Sequence, residues 1–373
     1  MTWVLALTGL AHEAVVVRQL EPDAPRRVTD LVELLALAQP ALAETVLISA
    51  RFPQMNREVA QRVARHVPCF GVADSHDDSA AARIADWGLP VIRVDPSVTV
   101  RAAVSAMGVA PNREPAAPLA PLIAVTGPHG ATGRTTVAAA VATALGRSVL
   151  IDADLVAPAV GFHCGATGGT DLTSAARAAA DGRLRSGNLL AAAADVERLS
   201  VVTGIPHPEQ VRDLALSGVE VVLDEAVATG QPVVVDCGAG PCVPAELGAV
   251  RRAVIARATH VLSVGVPTAL GIRRWVDSAG ELGECTSAGT GQVIVVWNRM
   301  PRGPDSLRRL REVVAVARPD ARVAGLPDDP DTAAALDRRP GTVGQRAPRG
   351  RLAAAIAALT AGLQLTGGAA DRA

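Results

Sequence analysis

From Leu122 onward the chain delivers seven apolar runs: LIAVTG, SVLIDAD, LSVVTG, PVVVDCG, HVLSVGVP, QVIVVWN and ARVAGLP. They are nearly continuous in Val, Ile and Leu instead of alternating apolar with polar. Strands of that kind must be covered on both faces, as in a doubly wound parallel α/β sheet. Ligands of such sheets gather beyond the carboxyl ends of the strands. Thr126, Asp152, Asp154, Asp236, Pro267 and Asn298 each fall at or just past the end of a run.

The first run enters the sharpest motif of the chain. Ile123 to Thr136 reads IAVTGPHGATGRTT, a strand followed by a glycine-rich turn that opens the helix VAAAVATAL. A P-loop asks for a glycine, four free positions, a second glycine, a lysine and then Ser or Thr, because backbone N–H groups must wrap a phosphate while the hydroxyl holds Mg²⁺. Gly133 and Thr135 meet that pattern. Pro128 stands where the first glycine belongs and Arg134 where the lysine belongs. Proline removes a backbone donor and fixes φ. A forked guanidinium can hold phosphate, but it does not reproduce the compact charge of an ammonium. Composition bears on this point, because the chain has no lysine and all 36 basic residues are arginine, the mark of a GC-rich genome.

At 373 residues the chain suits two domains, and its 49% apolar content is ample for two cores. Residues 1–106 alternate apolar runs with helical patterns (TWVLALTG, VVVRQL, helix RVTDLVELLALAQ, ETVLISAR, helix REVAQRVARHV, PCFGVAD, helix AAARIADWG, PVIRVDP), which predicts a smaller parallel α/β domain. Residues 107–120 are proline-rich and read as a linker. The larger domain covers 121–363, and 364–373 read as a flexible tail. Five scattered cysteines fit a reducing cytosol, with Cys237 and Cys242 as buried or loop thiols. A net charge of -1 supplies no global drive toward nucleic acid or membrane. The N-terminus lacks a basic leader and no apolar run reaches a membrane span, so the expectation is a cytoplasmic protein.

The strand-loop-helix start, the IDAD motif some twenty residues on, the strand closing in Asp236 and the VWNR segment together resemble the MinD/ParA group of deviant-Walker P-loop ATPases. The resemblance covers about residues 121–363. GPHGATGRTT, with an α/β domain before it, looks most like the actinobacterial CpaE-like or TadZ-like septum-site-determining proteins. The family implies an ATP-binding positioning protein that dimerises on ATP or ADP with Mg²⁺ and acts at a septum or a Tad-type pilus. Hydrolysis is expected to be slow or absent. The alternatives are a nucleotide-free scaffold and a ParA-like chromosome-partitioning ATPase.

Carried onto this sequence, the family's loop spans Pro128 to Thr136, with Gly130, Ala131, Thr132, Gly133, Arg134, Thr135 and Thr136 as its nucleotide-binding positions. Thr135 matches the Mg²⁺ hydroxyl and Asp236 the acid behind the metal. Asp154 matches the residue that orients the attacking water, Asp152 its neighbouring carboxylate, and Arg134 takes the phosphate-binding lysine's place. Asn298 matches an adenine-binding asparagine. The loop Gly325–Pro330, with Pro327, matches the one that packs against the base. His129 stands where a signature lysine reaches across the dimer, and histidine as a side-chain type carries little charge at neutral pH.

The first domain looks like a response-regulator receiver, but Ser49 stands where the phosphoacceptor aspartate belongs. A docking or dimerisation module is therefore expected. The implied partners are a second copy and a cell-division or pilus-assembly protein, with weak nucleic-acid contact and peripheral membrane contact as lesser options. Septum, pole and inner-membrane surface are the corresponding locations. In RLAAAIAALTAGL, Leu352, Ile356, Leu359 and Leu363 form one helical stripe, which reads as core packing. Between Arg299 and Arg351 twelve arginines face seven acids, which reads as a solvated face more than a DNA surface.

Overall fold

In the computed structural model, which describes residues 3–38, 43–107, 120–130, 132–181, 183–240, 245–287, 291–303 and 305–363, all seven runs become strands of one sheet. The chain divides into two units, Met1–Ala116 and Ala117–Ala373. Most of the expected linker, the tail 364–373, Ala131 and Cys242 lie outside the described residues.

The first unit holds β1 (Trp3–Ala6), β2 (Arg26–Arg27), β3 (Thr45–Ser49), β4 (Cys69–Asp74) and β5 (Val91–Val94). They pair in parallel in the order β2-β1-β3-β4-β5, the order of flavodoxin-like doubly wound sheets. Side chains alternate across each strand, so Val4, Val46 and Ile48 pack with Ile84 and Trp87, while Trp3, Leu5, Leu47 and Phe70 pack on the other face. Three of its helices start on side-chain caps. Asp30, Asn56 and Asp77 accept the backbone N–H of Glu33, Val59 and Ala80 respectively. The run VVVRQL is not a strand but most of the helix Glu13–Leu20. Val16 and Leu20, four apart, are its buried residues, which is helical spacing. Its place beside β1 is taken by the two-residue β2.

The second unit holds β6 (Leu122–Gly127), β7 (Ser148–Asp152), β8 (Ala194–Val196), β9 (Leu199–Val202), β10 (Val233–Ala239), β11 (His260–Gly265), β12 (Gln292–Met300) and β13 (Arg322–Pro327). Their order is β13-β12-β11-β6-β10-β7-β9-β8, parallel except for the antiparallel edge pair β8 and β9. Ile123 and Val125 face the helix Arg134–Ala144, of which Val137 to Ala142 are all buried. Leu122 and Ala124 face the opposite layer with Val250, Val254 and Ile255. The C-terminal stripe joins the first of these layers: Ile356 and Leu363 are buried, and Leu352 and Leu359 pack against them. In the arginine-rich segment Arg308 pairs with Asp305 and Glu312, and Arg318 with Asp320. Among the described residues no helix is long and apolar enough to cross a membrane.

Candidate functional site

The strand order places β6 between β11 and β10, so the loop after Gly127 emerges at the middle of the sheet's carboxyl edge. Two glycines let the loop turn. Gly130 (φ +107°) and Gly133 (φ +87°) sit in the left-handed region, and Gly133 is the residue on which the helix Arg134–Ala144 starts. Backbone N–H groups of the first helical turn are therefore directed into the loop, the arrangement that receives an anion. Thr135 and Thr136, half-buried, belong to that turn.

Arg134 folds back on its own loop. Its Nη1 donates to the Pro128 carbonyl at 2.6 Å and to the Thr132 hydroxyl at 3.2 Å. Asn298, at the end of β12, ties the loop from the other side. Its Nδ2 donates to the Thr132 carbonyl at 2.9 Å, and its Oδ1 accepts the N–H of Arg299 at 2.9 Å. The expected adenine-binding amide thus has its donor and acceptor engaged with backbone. Pro327 is half-buried at the end of β13, next to Asp328, whose N–H donates to the Met300 carbonyl at 3.0 Å. Asp329 caps the helix Pro330–Arg338 and accepts the N–H of Leu352 at 3.0 Å.

The three aspartates are brought together by strand register. Asp236 of β10 pairs with Asp152 of β7, and both are 1% exposed. Asp152 Oδ2 accepts the N–H groups of Ala159 and Val160, each at 2.9 Å, and its Oδ1 accepts that of Asp154 at 3.1 Å. Burial and the facing charge of Asp236 nevertheless push its pKa up to about 7. Asp154 is buried, and its Oδ1 accepts the N–H groups of Val156 at 3.0 Å and Ala157 at 2.9 Å. Asp236 is raised by burial, against hydrogen bonds from the Thr135 hydroxyl and the Gly238 N–H. Its Oδ2 has no hydrogen-bond partner among the described residues.

A buried carboxylate oxygen without a donor, beside a hydroxyl at the mouth of a glycine loop, fits a magnesium-bound phosphate. Octahedral Mg²⁺ keeps waters and takes few protein ligands, so one hydroxyl and one outlying carboxylate suffice. Among the described residues no group of three or more His, Cys, Asp or Glu is arranged to hold a metal ion alone. Phosphate oxygens and waters would have to complete the shell. Four buried cysteines carry no disulfide, and burial holds the Cys237 thiol far above its ordinary range.

Two arginines absent from the motif reading reach this region. Arg251, buried on the helix Ala245–Arg257, pairs with Glu281 and places Nη1 3.5 Å from Thr126 Oγ1. Arg274, on the helix Ala269–Ser287, lies over Gly130, and its Nη1 is 3.5 Å from the His129 carbonyl. Both stand more than a hundred residues from the loop in sequence, with no motif around them. The only available signal was that each helix adjoins a strand end of the central sheet.

No protein-family model and no curated protein matches the chain. Among solved structures it is similar to a ParA family ATPase from Chlorobium tepidum TLS (TM-score 0.55, 18% identity, 65% of this chain and 98% of that one). It is also similar to the cell division ATPase MinD of Pyrococcus furiosus (TM-score 0.50, 20% identity, 65% and 97%). At these identities the likeness is one of fold: the chain contains the nearly complete parallel α/β architecture of both proteins.

Proposed function

We propose that the second unit binds ATP or ADP with Mg²⁺ in the loop Pro128–Thr136 and uses the bound state to control association with a second copy. The observation that carries this reading is the orphaned Oδ2 of Asp236, buried beside the Thr135 hydroxyl at the end of the glycine loop. The N–H groups from Gly130 to Thr136 hold the phosphates, Thr135 takes the metal, and Asp236 lies behind it. Mg²⁺ held there would supply positive charge to offset that of the phosphates. Asp154, anchored by two backbone N–H groups on one oxygen, is the carboxylate that positions water. Asp152 holds the turn that carries Asp154. Asn298 and Pro327 line the side on which the base rests. The loop has no lysine and its Arg134 is turned onto Pro128, which accords with slow or absent turnover.

In this reading the protein is a positioning factor of the CpaE-like or TadZ-like kind, acting at a septum or pilus through a cell-division or pilus-assembly partner. The first unit, with a receiver-like strand order, is a docking module. Ser49 occupies the end of β3 and its hydroxyl exchanges hydrogen bonds with the backbone of Thr8, N–H and carbonyl both at 2.9 Å. No carboxylate stands at that position to accept a phosphoryl group.

Thermal unfolding and sedimentation velocity with millimolar ATP and Mg²⁺ test the proposal. Occupancy at a hundred times Kd adds about 2.7 kcal/mol, hence a rise in Tm of roughly 5 °C or more, and the monomer peak shifts toward dimer. An unchanged Tm and an unchanged sedimentation profile would overturn the nucleotide reading and leave the scaffold one. The internal commitment of Arg134 favours that second reading.

A further inference from the structure

The sequence contains no lysine, and its one loop cation, Arg134, is bonded to the loop's own carbonyl and hydroxyl. A loop-bound triphosphate therefore needs positive charge from elsewhere. Arg274 is placed to give it. A Cβ built on Gly130 would come within 2.3 Å of Arg274 Nη1, so the guanidinium rests against the loop where a side chain at position 130 would stand. Its hydrogen bond to the His129 carbonyl is long at 3.5 Å, so this contact does not hold the guanidinium firmly.

The neighbours of Arg274 make its state informative. Arg273 is bonded through Nε to both carboxylate oxygens of Asp277 at 2.9 Å, and Arg251 and Arg252 both pair with Glu281. Arg274 is exposed and makes no ion pair with a described residue. Gly130 precedes by three residues the glycine on which the helix starts. In a P-loop the backbone N–H groups cradle the inner phosphates, so a nucleotide held that way would leave its outermost phosphate as the group for Arg274. Forked guanidinium donors match the oxygens of a terminal phosphate.

Resting on the nucleotide reading above, we infer that Arg274 is the cation that contacts the terminal phosphate and lets the loop distinguish a nucleoside triphosphate from a diphosphate. It supplies from the helix Ala269–Ser287 what the loop itself lacks.

Isothermal titration of the full chain with Mg²⁺-ADP and a non-hydrolysable Mg²⁺-ATP analogue tests this. Arg274→Ala should weaken the triphosphate analogue about tenfold or more and leave ADP within about twofold, as loss of one charged hydrogen-bonding group predicts. Arg274→Lys should fall between, and Arg273→Ala should match the wild type. If Arg274→Ala keeps the wild-type ratio of the two affinities, or lowers both equally, the inference falls and the nucleotide reading stands. If the wild-type chain binds neither ligand, both fall together. Arg274 is exposed, and circular dichroism of each variant should match the wild type.

Discussion

Two carboxylates face each other across the register of β7 and β10, and the titration of Asp152 carries the consequence at the scale of single residues. Its pKa in the folded chain, about 7, lies above the ordinary 3.8, chiefly because of burial and then because of Asp236. The folded protein therefore keeps a proton that the unfolded chain releases between about pH 4 and pH 7. Stability falls as pH rises through that window, and the penalty is complete above pH 7. Asp236 is shifted in the same direction and adds with the same sign. Asp152→Asn removes the titration, although it loses an acceptor for one of three backbone N–H groups. Melting curves from pH 5 to pH 7.5 should show the wild type losing ground to Asp152→Asn as pH rises. A constant difference across the range would show that the pair does not titrate there.

Among elements, the helices Ala245–Arg257 and Ala269–Ser287 are joined under the site by the Arg251–Glu281 ion pair. The Arg251 side chain is 5% exposed and that of Glu281 18%, so neither charge is well solvated alone. The guanidinium also approaches Thr126, whose hydroxyl donates to the Gly238 carbonyl at 3.2 Å, linking the helix pair to the ends of β6 and β10. Arg251→Ala should cost about 3 kcal/mol, since removing one partner strands the other. The double variant Arg251→Met with Glu281→Leu should recover most of that, because apolar replacement of both partners is often neutral. Urea denaturation measures both. A loss below about 0.5 kcal/mol in Arg251→Ala would mean that Arg252, 3.7 Å from Glu281, already compensates.

For the whole molecule, the decisive fact is that among the described residues each unit has hydrophobic clusters of its own. Two clusters lie within residues 3–104 and three within residues 122–363. A chain with separate cores folds as separable domains. The fragment 117–373 should unfold in a single cooperative transition and keep the nucleotide response of the full chain. Expression of that fragment, followed by thermal melts with and without Mg²⁺-ATP, checks it. An aggregated or non-cooperative product would show that residues 1–116 complete the fold.

The parallel sheet was legible in the sequence because strands buried on both faces must be apolar throughout, as the seven runs nearly are. The strand ends that carry Asp152, Asp236 and Asn298 followed from the same pattern. The helix Glu13–Leu20 was misread because a short run of valines suits either structure until burial decides. The antiparallel β8 was missed because Ala194–Val196 is three residues long with a charge at its centre. At the site, local order located Thr135 and the glycines, but only the tertiary structure decided what each cation does. Arg134 turns onto Pro128, and Arg274 comes to Gly130 from the distant helix Ala269–Ser287. Hydrophobic periodicity is a local property that a sequence displays directly. The direction of a long, flexible guanidinium depends on which acceptors the finished fold brings within its reach.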